Sequence, residues 1–140
     1  MIRCIWSCGL FVAMVCVGCG PRNNPKFEKT VPVRGTVVKA SGSPVSGGLI
    51  TFHNTEPNKG DAWATIGRDG RFELGTYKKD DGAMLGTYTV TIEPIVYDQN
   101  GNPRPYPALG IPPKYTKAET SGLTVEVKND GSQDLKFVLH

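Results

Sequence analysis

Few side chains in this sequence can do chemistry, and their spacing restricts what they can do. Of the four cysteines, Cys4, Cys8 and Cys16 fall in the apolar N-terminal segment, and Cys19 closes it. The only histidines are His53 and His140. A structural zinc site wants four nitrogen or sulfur ligands, and these residues do not supply them. Ser41, Ser43 and Ser46 lie in glycine-rich turns with no base nearby in sequence, so an activated nucleophile is not supported. The run Asp98-Gln-Asn-Gly-Asn102 places oxygen donors at alternating positions, as calcium loops do. An EF-hand loop needs Gly at its sixth position and Glu at its twelfth. Pro103 and Leu109 stand there instead, and a solvated turn is the plainer reading. The expectation is a chain with no catalytic set, metal or cofactor.

Cys19 is different because of what precedes it. Arg3, then an uncharged stretch over residues 5–18, then small residues is the order of a secretory signal peptide. The stretch falls short of the roughly 20 apolar residues that cross a bilayer. Its removal leaves Cys19 unpaired in an oxidising compartment, a reactive thiol unless something caps it. Val17-Gly18-Cys19 resembles a bacterial lipobox, with Cys16 where Leu is usual. That resemblance implies cleavage before Cys19, a diacylglyceryl thioether and often an added palmitate-type N-acyl chain. A single acyl chain binds only reversibly, at about 0.8 kcal/mol per buried methylene, so more than one is needed for stable anchoring. Gly20, where Asp would favour inner-membrane retention, implies the outer membrane or cell surface. An uncleaved N-terminal anchor and a plain signal cut elsewhere are the competing readings.

The division is then a leader over residues 1–18, the lipidated cysteine and a flexible tether over 19–30, and one domain over 31–140. The tether carries Pro21 and Pro25 and no hydrophobic period. At about 3.5 Å per residue it spans up to about 40 Å. Losing Arg3 from the 16 basic and 13 acidic residues leaves a small, scattered positive balance, without the clustered footprint of a nucleic-acid binder. With 17 Gly, 11 Pro and many Thr and Val, the composition favours short strands and turns over helices.

Alternation of apolar and polar residues marks the strands. Val31, Val33 and Val37 point one way, with Arg34 and Thr36 opposite; Ile50 and Phe52 face inward, with Thr51 and His53 outward. Strands at 63–66 and 71–74 flank Asp69-Gly70, a hairpin-turn signal. The clearest period is in 86–93, with Tyr88, Val90 and Ile92 inside and Thr87, Thr89, Thr91 and Glu93 on a wet face. Leu123, Val125 and Val127, then Leu135, Phe137 and Leu139, repeat it. Seven such strands and no helix predict an all-β fold, two antiparallel sheets stacked as a sandwich.

Three phrases appear in order: Val33-Arg-Gly-Thr-Val37 with Gly42-Ser-Pro-Val-Ser-Gly47 and Ile50-Thr-Phe52, then Thr65-Ile-Gly-Arg-Asp-Gly-Arg-Phe72, then Gly86-Thr-Tyr-Thr-Val90. Together they resemble the carboxypeptidase regulatory-like domain, over roughly residues 31–139, as carried by small bacterial lipoproteins. The resemblance implies a seven-stranded, Greek-key, transthyretin-like (prealbumin-like) sandwich that is usually non-catalytic, and it implies no substrate. The transthyretin-like hydrolases of 5-hydroxyisourate use histidines, an arginine and a C-terminal Tyr-Arg-Gly-Ser. This chain has Lys136-Phe-Val-Leu-His140 there, which disfavours that activity. A Lys–Asn cross-link of the kind found in surface-protein sandwiches has a donor in Lys39 but no Asn over 134–140.

The interval 94–122 is longer than most connections in compact domains. After Pro94 it holds Pro103, Pro105, Pro107, Pro112 and Pro113, the tyrosines Tyr97, Tyr106 and Tyr115, and the basic Arg104, Lys114 and Lys117. One reading is a polyproline-like cover over a sheet edge with Tyr115 packed inward. The other is a contact surface for an envelope protein or glycan, made of Tyr97, Arg104, Tyr106, Lys114, Tyr115 and Lys117, with Trp63 either joining it or packed in the core. The expected function is a lipid-anchored, non-enzymatic adhesion or assembly module. A carbohydrate-binding module using Trp63, Tyr97 and Tyr106 is the alternative.

Overall fold

Successive side chains on a strand face opposite ways, so a strand with one apolar set can bury only that set. A computed structural model describes residues 27–140; Cys19, the 1–18 leader and most of the tether lie outside the described residues. In chain order the strands are β1 Thr30–Val31, β2 Val33–Lys39, β3 Leu49–Asn54, β4 Ala62–Thr65, β5 Arg71–Glu73 and β6 Ala83–Met84. There follow β7 Gly86–Glu93, β8 Ile95–Tyr97, β9 Pro103–Pro105, β10 Thr124–Val127 and β11 Gln133–Leu139. One helical turn, α1, occupies Ala118–Ser121, after 3-10 turns at Pro107–Leu109 and Pro113–Thr116.

Two larger sheets face each other, one with order β10-β7-β3-β4 and one with order β11-β2-β5. The apolar sets predicted for the central strands fill the space between them. Ile50, Phe52, Tyr88, Val90 and Ile92 come from the first sheet, and Val33, Val37, Phe72, Phe137 and Leu139 from the second. Phe52 links the layers, its ring centroid 6.2 Å from Phe72, 6.0 Å from Phe137 and 5.9 Å from Tyr88. Tilted and edge-on rings at this spacing stabilise by about 1 kcal/mol beyond their area.

The all-β sandwich of the sequence reading is present, with corrections. Eleven strand segments occur among the described residues rather than seven, because β1 with β6 and β8 with β9 form two further ribbons. The expectation of purely antiparallel sheets fails at β11, which runs parallel to β2 from Gln133 opposite Val33 to Leu139 opposite Lys39. A tight hairpin forces antiparallel pairing, but β11 is reached by crossing over from the other sheet, where β10 pairs with β7. Gly35 allows the close approach: a Cβ there would overlap the Leu135 carbonyl oxygen and come within 2.8 Å of the Phe72 ring.

The strands flanking Asp69-Gly70 do not form a simple hairpin either. β4 belongs to the first sheet and β5 to the second, and they touch only at the ends of the connection. Trp63 and Gly75 exchange both backbone hydrogen bonds at 3.0 Å, and the Gly67 N–H donates to Arg71 O at 2.7 Å. Gly70 sits at φ +80° between these strands, a conformation glycine adopts without the steric cost of a Cβ.

The expected polyproline cover over 94–122 is instead the β8–β9 ribbon followed by three helical turns. Asp98 makes the ribbon's tip, its Oδ1 accepting the N–H groups of Asn100 at 2.8 Å and Asn102 at 3.0 Å. Pro103 and Pro105 are tolerated because β9 is an edge strand in a two-stranded ribbon. At the start of the described residues the Phe27 ring meets Tyr77 edge-on at 4.8 Å, and the Glu28 N–H donates to Tyr77 Oη at 2.9 Å.

Candidate functional site: an aromatic groove where the sheets meet

Counting back from the paired Trp63 and Gly75, Thr65 lies opposite Glu73, and counting again reaches the bonded Gly67 and Arg71. The ribbon is therefore closed at both ends and open at its middle. Thr65 directs its backbone N–H and C=O away from β3, since Trp63 two residues earlier spends both of its own on Gly75. Over this opening runs a groove of about 1100 Å³. One side is aromatic, with Trp63 and Tyr97 51% and 45% exposed. The same two rings also line a smaller cleft of about 370 Å³ with Leu49, Thr51 and Asp61. Both flanks of the pair are thus open to a ligand.

The other side is polar, and the sheet register explains its order. Arg34 of β2 stands opposite Glu73 of β5 and opposite Asp134 of β11. This puts a carboxylate, a guanidinium and a carboxylate in one row across the outer face of the second sheet. Neighbouring strands set such side chains about 5 Å apart at Cβ. None of the three takes part in an ion pair among the described residues. Lys79 and Asp80 also line the groove, next to Gly75.

Of the residues predicted as a contact surface, the structure unites Trp63 and Tyr97 and scatters the rest. Tyr106, 49% exposed, does not line the groove. Arg104 folds back on the ribbon tip, its Nε 3.1 Å from Asp98 Oδ2. Lys114 lies over the Tyr115 ring, 4.9 Å from its centroid. Lys117 is exposed beside α1. Tyr115, only 4% exposed, leaves the contact surface and takes the inward packing of the other reading of this interval. The 3-10 turn over Pro113–Thr116 turns the ring into the core, where Oη accepts the His140 N–H at 3.0 Å. The row of Glu73, Arg34 and Asp134 was missed, because its members are distant in sequence and only the parallel pairing of β11 unites them. Lys39, the cross-link candidate, extends toward Gly110.

His53 is half-exposed on the outer face of β3, with Nδ1 2.9 Å from Asp61 Oδ2 and Nε2 3.0 Å from Thr91 Oγ1. The line of carboxylate, imidazole and hydroxyl has the connectivity of a nucleophile-activating set. However, Thr91 is 2% exposed, which keeps a substrate carbonyl from its hydroxyl. Its burial also corrects the wet-face assignment for Thr91. What the line does is hold a loop: Asp61 Oδ1 accepts the Asn54 N–H at 3.0 Å, fastening the two ends of the β3–β4 connection. Among the described residues no group of three or more His, Cys, Asp or Glu side chains is placed to hold a metal ion.

No protein-family model matches this chain, and no curated protein matches it. Among solved structures it is similar to BcpA, the major pilin subunit of Bacillus cereus, at 10% identity and a TM-score of 0.47, covering 80% of this chain and 30% of that one. A single-residue variant of BcpA gives 12% identity and a TM-score of 0.44 over the same shares. A 9R-lipoxygenase from Cyanothece PCC8801 gives 12% identity and a TM-score of 0.39, over 87% of this chain and 18% of that one. The chain thus spans less than a third of each structure it matches. These likenesses assign neither a family nor an activity.

Proposed function

We propose that this chain is a non-enzymatic binding module of the bacterial cell envelope, held to a membrane by lipid on Cys19, with the β4–β5 groove as its contact surface. The observation that carries this reading is the half exposure of Trp63 and Tyr97 together at one open groove. Large rings left in water beside unpaired charged groups are characteristic of contact surfaces, where aromatic residues and arginine dominate the binding energy. The leader order and the Val17-Gly18-Cys19 ending support the anchor. The resemblance to carboxypeptidase regulatory-like domains is part of the same reading, and a structural or adhesion role fits it.

Two measurements on the full chain expressed in a bacterium test the proposal. Intact mass of the protein from the membrane fraction is expected to match a chain beginning at acylated Cys19; a retained leader defeats the anchor. A photo-cross-linking amino acid at position 97 is expected to form adducts in the envelope, whereas the same group at position 126 on β10 does not. Equal labelling at both positions removes the groove from the proposal.

A further inference from the structure

The groove's chemistry narrows its occupant. A peptide added as a strand is poorly served, because strand addition needs a run of free backbone donors and acceptors. Here Trp63 and Gly75 close one end of the edge and Gly67 and Arg71 the other, leaving a single open register position. A polyanion is poorly served too. Arg34, Arg71 and Lys79 are matched in number by Glu73, Asp80 and Asp134 around the same groove, so no net field draws a charged polymer.

What remains is a pair of aromatic faces opposite a row of strong donors and acceptors that do not satisfy each other. A pyranose ring is built for that combination. It has an apolar C–H face that lies flat on an aromatic ring, and a rim of hydroxyls that each donate and accept. On this basis, and resting on the groove being the contact surface, we propose that the groove binds a neutral polysaccharide. Sugar rings stack on Trp63 and Tyr97, and their hydroxyls hydrogen-bond to Glu73, Arg34 and Asp134. The carboxylates accept from hydroxyls and the guanidinium donates to them, charge-assisted bonds that are about twice as strong as neutral ones. Tyr106 has no part in this site, since it lies off the groove.

Of the two tryptophans, Trp6 and Trp63, only Trp63 follows the proposed cleavage point, and replacing Trp6 keeps the readout single even where the leader is retained. In the full chain carrying Trp6→Phe, solubilised in detergent, Trp63 is the sole indole. Titration with dextran, xylan, laminarin and chitin oligomers is expected to shift its emission saturably with at least one of them, with little dependence on salt. Trp63→Phe, followed by affinity electrophoresis in the same polysaccharide, retains much of the binding. Trp63→Ala or Tyr97→Ala weakens it by about tenfold or more, Glu73→Gln weakens it less, and Tyr106→Ala leaves it unchanged. Circular dichroism confirms that each variant is folded. Failure of every polysaccharide to bind, or binding that survives Trp63→Ala and Tyr97→Ala in folded protein, overturns the proposal. If none binds while position 97 still cross-links to a protein, the glycan assignment falls and the contact surface stands. If neither occurs, both fall.

Discussion

Tyr88 is a fully buried side chain that brings a hydroxyl into an apolar core, and its Oη donates to the Met84 carbonyl at 2.9 Å. Burial raises the phenol above its ordinary value, which is about 10. The folded protein therefore holds this proton more tightly than the unfolded chain. The stability that results is intact below about pH 10 and is lost as pH rises through the raised value. Melting followed by circular dichroism from pH 7 to 11 is expected to show a midpoint that falls above about pH 10. Tyr88→Phe is expected to cost about 1 kcal/mol at neutral pH and to flatten the alkaline fall; an equally steep fall in the variant excludes Tyr88 as its source. Asp98 works in the opposite sense. The Asn102 N–H first, with help from the Asn100 N–H and Arg104, holds its carboxyl below the usual carboxylate range. Its contribution is present above the ordinary value, about 4, and is lost as pH falls through the lowered one. The Asn102 amide proton shift is expected to stay constant down to about pH 4 and to move only below it, and Asp98→Ala to abolish the movement.

At the scale of elements, the His53 line is expected to act as a fastener for the β3–β4 connection. Asp61→Ala removes acceptors from both His53 and the Asn54 N–H, at a cost of about 1–2 kcal/mol in chemical denaturation because the site is half in water. Amide exchange is expected to accelerate over residues 54–62 and not in β11; uniform acceleration would contradict a local role. Strand alternation made β2, β3, β7 and β11 legible in the sequence, since each buries one side against one core. The pairs β1–β6 and β8–β9 were not legible, because strands of two or three residues are too short to display a period. Pro103 and Pro105 also argue against a strand unless its edge position is known. The groove was half legible: Trp63 and Tyr97 were named from residue type, whereas the charged row opposite them exists only through strand register. The opening between β4 and β5 was hidden for another reason. Asp69-Gly70 predicts a turn correctly but says nothing about whether its two arms stay in one sheet.

For the molecule as a whole, the decisive contact is the parallel pairing of β11 with β2, which joins segments about 100 residues apart in the chain. Phe137 and Leu139 enter the core from β11, and Leu135 packs against it. At about 1.5–3 kcal/mol for each buried apolar side chain, they contribute roughly 5 kcal/mol, against a total of about 5–15 kcal/mol for a typical domain. Loss of β11 also bares one flank of Val33 and Val37 and leaves β2 as an edge strand paired only with β5. A chain truncated after Asp130 is therefore expected to lose its cooperative melting transition and its strand-type circular dichroism, although every other strand is present. Shortening the β8–β9 tip between Tyr97 and Pro103 is expected to leave the transition within a few degrees of the parent, because that ribbon lies outside the two larger sheets. Gly35→Ala probes the same closure with a single atom. The added Cβ overlaps the Leu135 carbonyl, and overpacking of this kind costs about 1–3 kcal/mol. A truncated chain that still melts cooperatively would show that the two sheets hold together without their last strand, and the cost of Gly35→Ala would then have to come from the Phe72 ring alone.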